Sequence, residues 1–475
     1  MISYFQKRWV ARGGYREVLA MAVPLALSTG TISIQHFVDR VLLSRYSTDA
    51  VAATLPAALS SFTLISLFMG TASYATTFVA QYFGAGRDER VGPALWQALY
   101  LAFLAMAILP LAHFIAEPYF RLVGHSASVQ AEEVIYFRIL MWGAGLPVYG
   151  AAISCFYTGR GKNWPIMWVN VGVTAINVLV NYALIFGNWG FPEMGIRGAA
   201  IGTVTGTFFG AVAYTVMIFG SRDRKRFCLL SGWRFDRELF GRLMRFGFPS
   251  GVQFMLDIMA FTFFLNLLGR LGTVELAASN IVFSINQLAF MPMIGFGIAT
   301  SAMVGQYLGK DDPDLASRSN WSAFHLTMSY MVTITLFYIF TPRLFLAPFT
   351  PEPEVAALSR QLLYFVAIYC IFDTLCIIFS STLKGAGDTR FVMLISLGTA
   401  WGLMFFPTWF MCGYLGFGIY TAWTFLSICI ISMGFAYLWR LMGGKWRDMR
   451  VIEAVAPPPV PPELAATPTT VDADL

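Results

Sequence analysis

The sequence predicts an all-α polytopic membrane protein, with twelve transmembrane helices in two six-helix lobes related by a parallel repeat. Three observations carry this. Hydrophobic residues fill 57% of the 475 positions and charged residues only 12%, with 43 Phe and a mean hydropathy of +0.63. A soluble domain carries about a quarter charged residues. Apolar runs recur along the chain, each with the roughly 20 residues a helix needs to cross the hydrocarbon. Finally, Val79-Ala80-Gln81-Tyr82-Phe83-Gly84 returns as Val304-Gly305-Gln306-Tyr307-Leu308-Gly309. The same offset takes Pro24 to Pro249 and Gly70 to Gly295, and one residue of drift takes Gly159-Arg160-Gly161 to Gly385-Ala386-Gly387. The chain is two copies of one unit.

The elements follow in order. The N-terminal lobe, 1–220, holds runs near 18–43, 49–82, 92–116, 130–157, 164–187 and 195–220. A basic connection, 221–245, leads to the C-terminal lobe, 246–450, with runs near 244–269, 275–308, 319–347, 354–383, 390–414 and 416–440. The Pro-, Ala- and Thr-rich end, 451–475, reads as a disordered cytoplasmic tail. The runs are continuous rather than alternating, which excludes a barrel and leaves helices. The first run is too long for a signal-peptide core and has a counterpart at 245–270, so it is a span. Six spans per copy give both copies one orientation, with an axis along the membrane normal, as in two-lobed transporters with a midplane site. Gly198, Gly202, Gly206 and Gly210 form a ridge on one face of the sixth run, which suits close packing within the first lobe.

Orientation follows from the cations. With the N-terminus in the cytoplasm, the inner loops collect Lys7, Arg8, Arg12 and Arg16, then Arg87, Arg90, Arg160 and Lys162, then the cations of 221–245. The inner side of the second lobe adds Lys310, Arg318, Lys384, Arg390 and the Arg440–Arg450 group. This bias puts both termini in the cytoplasm of a multi-pass protein of the plasma membrane, the inner membrane in a bacterium. The pI near 9.0 requires no nucleic-acid partner, because these cations face anionic lipid.

Carboxylates inside spans cost a few kcal/mol on insertion scales and are candidate functional groups. Asp39 lies near the outer end of the first run, Asn177 and Asn181 share a face of the fifth, and Thr203 lies in the sixth. At about 1.5 Å per residue, Asp39, Asn181 and Thr203 share a depth of roughly 9–12 Å, as one polar pocket requires. Asparagines can also join helices, and Arg40 beside Asp39 can make a structural ion pair. In the second lobe Gln253 and Asp257 are four apart in run seven, as are Tyr369 and Asp373 in run ten. Both aspartates fall near mid-membrane with no Lys or Arg close in those helices except Arg360, so they call for a proton or a metal cation. Oxygen-only ligation suits Na+. Gln35, Asn286 and the soft side chains of Met255 and Met291 are candidate cavity-lining residues.

Other motifs carry less. The Gly-x-Gly triplets follow no strand, which argues against nucleotide binding. Asp311-Asp312-Pro313-Asp314 reads as a capped inner turn, and the six scattered cysteines as buried thiols.

At these residues the chain resembles the multidrug and toxic compound extrusion (MATE) family over nearly all of residues 15–450. The resemblance rests on Val38-Asp39-Arg40-Val41, on Val79–Gly86, on Val304–Gly309 and on Leu383-Lys384-Gly385-Ala386-Gly387-Asp388-Thr389-Arg390. It implies an antiporter, not an enzyme, that expels cationic or amphipathic compounds against an inward Na+ or H+ gradient. It also implies cation-coupling sets at Asp39, Asn177, Asn181 and Thr203, and at Asp257, Tyr369 and Asp373. In the Na+-driven branch a glutamate follows the seventh-span proline by eight residues; here that position is Asp257, one methylene shorter. Arg40 stands where the family more often has a neutral residue. No cofactor is expected beyond the coupling ion, and the protein is expected to be a monomer among membrane lipids. The alternatives are a lipid or lipid-linked oligosaccharide flippase, which needs a cationic cavity, and an intramembrane transferase, for which no convincing motif exists. The parallel repeat further predicts rocking of one lobe against the other, with Gln81 and Gln306 marking the inner ends that meet.

Overall fold

Twelve helices long and apolar enough to cross a bilayer appear in the computed structural model, which describes residues 7–349 and 352–453. In order, spans one to six are Tyr15–Ser44, Ala52–Gly84, Asp88–Val123, Ala127–Thr158, Trp164–Phe186 and Ile196–Phe219. Spans seven to twelve are Arg237–Leu271, Thr273–Gly309, Pro313–Phe340, Pro353–Ala386, Thr389–Tyr414 and Ile419–Met442. Their number and order match the sequence reading, and most ends fall within a few residues of it. Span two is made of two helices, Thr48–Ser73 and Ala75–Gly84, that meet at Tyr74. Span eleven widens into π-helical turns at Ala400–Phe405 and Trp409–Tyr414, flanking Pro407, which has no N–H to give.

The connection is shorter than 221–245. Asp236 caps span seven by accepting the Leu239 N–H at 3.0 Å, so 237–245 is already helix. What remains lies along the N-terminal lobe. Phe227 and Leu229 are buried, Trp96 Nε1 donates to the Leu229 carbonyl at 2.7 Å, and the Gly92 N–H donates to the Phe227 carbonyl at 2.9 Å. The Arg160 guanidinium sits 3.8 Å from the Phe156 ring and 4.6 Å from the Phe227 ring, with Asp223 at 3.1 Å. The expected disordered tail also needs correction at its start. Val451 is fully buried and Glu453 is held by arginines; residues 454–475 lie outside the described ones.

Duplication extends to the contact between lobes. Span two meets span seven where a Cβ on Gly70 would lie 2.9 Å from Gly251 Cα, and span eight meets span one where a Cβ on Gly295 would lie 2.5 Å from the Ala26 nitrogen. The offset of 225 relates Gly70 to Gly295 and Ala26 to Gly251, so the two crossings are symmetry mates. Missing side chains let the backbones touch. The Gly198–Gly210 ridge does the same inside the first lobe, packing on span five at Leu184, Asn181 and Val173.

Among the described residues, the lobes share a core at one end only. One apolar cluster joins the N-terminal lobe to residues of the C-terminal lobe near the chain ends, among them Ala299, Leu308, Leu383 and Tyr437. A separate cluster holds the far half of the C-terminal lobe, among them Phe264, Met293, Tyr369 and Trp423. Among the described residues, the hydrogen bonds that join the lobes fall toward the end bearing the termini and reach as far as Thr29 Oγ1 to the Met291 carbonyl at 2.8 Å. Among the described residues, the lobes are therefore joined at the end bearing the termini.

Candidate functional site

In the first lobe the four expected residues come together from three spans. Asn181 Nδ2 donates to Asp39 Oδ1 at 2.6 Å and lies 3.3 Å from Asn177 Oδ1; Asn177 Nδ2 reaches Thr203 Oγ1 at 3.4 Å. Asp39 is 9% exposed and both asparagines are fully buried. Arg40 is exposed and turned away, so the structural Asp39–Arg40 pair does not form. Gly202 makes room for the set, because a Cβ there would lie 1.8 Å from Asn181 Oδ1. That oxygen is buried and accepts no hydrogen bond among the described residues, an arrangement that costs about 1–3 kcal/mol if left unmet. An empty acceptor beside a carboxylate is a place for a proton-bearing group or a hard cation, which takes oxygen ligands. Gly202→Ala should displace Asn181 and reduce transport as severely as Asn181→Ala does; normal transport by Gly202→Ala at equal protein level would separate the ridge from the site.

The pocket ends a longer ladder between spans one and five that sequence reasoning missed. Thr174 Oγ1 lies 3.5 Å from both the Thr31 carbonyl and Gln35 Oε1, and Asn170 Nδ2 donates to Ser28 Oγ at 2.5 Å. Nearer the termini, Asn163 Nδ2 donates to the Met21 carbonyl at 2.8 Å. Asn163, just before span five, and Asn170, Thr174, Asn177 and Asn181 along it recur at helical spacing, and that periodicity was the available signal.

The second-lobe set divides. Asp257 does not join Tyr369 and Asp373 in one hydrogen-bonded group. Its carboxylate accepts from Ser396 Oγ of span eleven at 2.5 Å and from Gln253 Nε2 at 3.3 Å. Nor is it free of fixed cations, because Lys384, at the end of span ten, is close enough for the two charges to attract. Asp373 stands one turn from Tyr369 but is not bonded to it. The Tyr369 hydroxyl instead accepts from Asn286 Nδ2 at 3.4 Å, and Cys370 Sγ donates to Asn286 Oδ1 at 3.2 Å. Asp257 and Asp373 are both half-buried. Of the other candidate lining residues, Gln35, Met255 and Met291 are half-buried, and the Met291 carbonyl is held at the lobe crossing by Thr29.

The sequence matches the MatE family over residues 24–183 and 249–410, one stretch in each lobe. It is 29% identical over 394 residues to a probable multidrug resistance protein NorM of Xylella fastidiosa, covering 82% of this chain and 83% of that one. It is 26% identical over 450 residues to a probable multidrug resistance protein NorM of Thermotoga maritima, covering 92% and 94%. In fold it resembles a MOP superfamily transporter from Pyrococcus furiosus, with a TM-score of 0.82 at 17% identity over 94% of this chain and 98% of that one. Twelve membrane helices in two like lobes, each carrying the family's match, show that the chain belongs to the MatE family of membrane transporters.

Proposed function

We propose that this protein is a secondary antiporter that exports cationic or amphipathic small molecules in exchange for Na+ or H+. The observation that carries the proposal is the Asp39–Asn181–Asn177–Thr203 set, a carboxylate with a vacant acceptor beside it at the meeting of three spans. Such a group is expensive in a membrane unless something binds there. Asp373, with Tyr369, is a second coupling position. Asp257, bonded to Ser396 and near Lys384, is balanced by protein and supports the first two. Gln35, Gln253, Asn286, Met255 and Met291 line the path of the exported compound. Three aspartates in the spans, of which Asp257 alone has Lys384 near it, favour an organic cation over the phosphate a flippase carries. The relatives named as multidrug resistance proteins agree with this reading. The protein works as a monomer in the plasma membrane, the inner membrane of a bacterium, with both termini in the cytoplasm.

The test is efflux of a cationic dye from vesicles with Na+ and pH gradients imposed separately. One gradient should drive efflux and the other should not. Asp373→Asn keeps the shape and removes the charge, so efflux should fall roughly tenfold or more. Undiminished efflux at normal protein level removes Asp373 from the coupling path, and efflux indifferent to both gradients ends the antiport reading.

A further inference from the structure

The repeated motif builds the closed end, and each copy reaches into the opposite lobe. Gln81 Nε2 of the first lobe donates to the Gly385 carbonyl at 3.0 Å; Gln306 Nε2 of the second donates to the Gly159 carbonyl at 2.7 Å. Gly159 and Gly385 are themselves repeat mates. The following tyrosines continue the pattern. The Tyr307 hydroxyl donates to both carboxylate oxygens of Glu17 at 2.8 Å, at the start of span one. By the repeat, Tyr82 should find the counterpart of Glu17 at the start of span seven. That position is Arg242, of the wrong charge. Tyr82 still donates to a carboxylate, at 2.6 Å, and it belongs to Glu453, beyond the last span.

We propose that Glu453 is the missing half of the gate: residues 451–453 return from span twelve and supply on one side the carboxylate that Glu17 supplies on the other, holding the end that bears the termini shut. The fit is detailed. Arg87 Nη2 lies 2.5 Å and Arg90 Nε 3.3 Å from Glu453 Oε1, and Arg87 Nη1 donates to the Glu453 carbonyl at 3.1 Å. Arg242 donates to the Val451 carbonyl at 3.4 Å and approaches Glu453 Oε2 at 3.9 Å. The Val451 N–H donates to Gln81 Oε1 at 2.9 Å, so one glutamine side chain binds both the span-ten turn and the returning segment. Tyr82, Arg87 and Arg90 belong to the first lobe, whereas residues 451–453 are tied covalently to the second. The lobes cannot part at this end until these bonds break. Burial pushes the Glu453 carboxyl up, but the bonds from Tyr82 and from its own backbone, with Arg87 and Arg90, hold it below the usual carboxylate range. It stays ionised near neutral pH, so the cluster is a fixed latch rather than a pH switch.

The proposal rests on alternating access by rocking lobes, and its test needs neither substrate nor gradient, so it fails separately from the efflux reading. Spin labels at Lys162 and Asp314, exposed on opposite lobes at this end, report the gap in a Cys228→Ser background. The full-length chain should give mainly a short distance. Glu453→Gln should raise the long-distance population about tenfold relative to the short one, for loss of a charge bonded to several donors. Truncation after Arg450 should do the same. Adding Arg242→Glu to Glu453→Gln restores a carboxylate at the repeat position and should return the short distance, a rescue that general loss of packing does not produce. An unchanged distribution in Glu453→Gln, or no rescue by Arg242→Glu, overturns the proposal.

Discussion

Asp39→Asn should reduce gradient-driven efflux about 10- to 100-fold while leaving the protein folded and in the membrane. An asparagine at 39 can turn its carbonyl toward Asn181 Nδ2, now 2.6 Å from the carboxylate, so the link between spans one and five survives. The negative charge does not. A hydrogen bond to a charged group contributes about 1.5–3 kcal/mol, and each 1.4 kcal/mol is about tenfold in affinity for the coupling ion. Asn177→Ala should be milder, because Asn177 is neutral and reaches Thr203 only at 3.4 Å. Both variants are compared by dye efflux in vesicles under the gradient that drives the parent protein. If Asn177→Ala is the more severe with both proteins folded, Asp39 is a structural group and the coupling site lies elsewhere.

The first-lobe pocket was legible in the sequence for a simple reason. Span order, helical rise and the four-residue spacing of Asn177 and Asn181 fix depth and face, and spans one, five and six are packed neighbours, as the glycine ridge on span six implied. The second-lobe set was only half legible. Spacing correctly placed Gln253 on the face of Asp257, and their bond is 3.3 Å long. Spacing within a helix cannot say which other helix supplies the next partner. Ser396 lies 139 residues from Asp257, and Lys384 belongs by sequence to a turn at the membrane edge. Packing of span eleven on span seven decides the first, and the placement of the inner end of span ten decides the second. Asn286 was legible as a polar residue in a span, but its bond to the Tyr369 hydroxyl was not. The latch was hidden more thoroughly. Residues 451–453 sit at the edge of a stretch rich in proline, and nothing in that composition distinguishes them from a solvated tail. The mismatch between Glu17 and Arg242 was visible in the repeat, yet it gains meaning only once Tyr82 and Tyr307 are seen to need the same partner.

Gly84→Ala and Gly309→Ala should each trap the transporter with the end bearing the termini open. In the closed arrangement a Cβ on Gly84 would lie 2.0 Å from the Gln306 carbonyl oxygen, and one on Gly309 would lie 2.2 Å from the Gln81 carbonyl oxygen. The obstacles are backbone atoms of the opposite lobe, so no side-chain rotation relieves them; the helices must separate. Overpacking of this kind costs about 1–3 kcal/mol, which shifts a two-state balance roughly ten- to hundredfold. Parting of the lobes relieves that cost, because both obstacles belong to the opposite lobe. Alanine also favours the helix over glycine, so the fold itself should not suffer. Gly398→Ala is the control, since a Cβ there meets nothing within 4 Å. The checks are dye efflux and the distance between labels at Lys162 and Asp314. Both gate variants should lose export and show the longer distance, and the control should do neither. The repeat adds a stricter requirement: Gly84 and Gly309 are mates, so their effects should be alike in direction and size. Normal export by either variant would mean that the two crossings are not a gate. A large effect at one and none at the other would mean that the duplicated halves no longer share the work of closing.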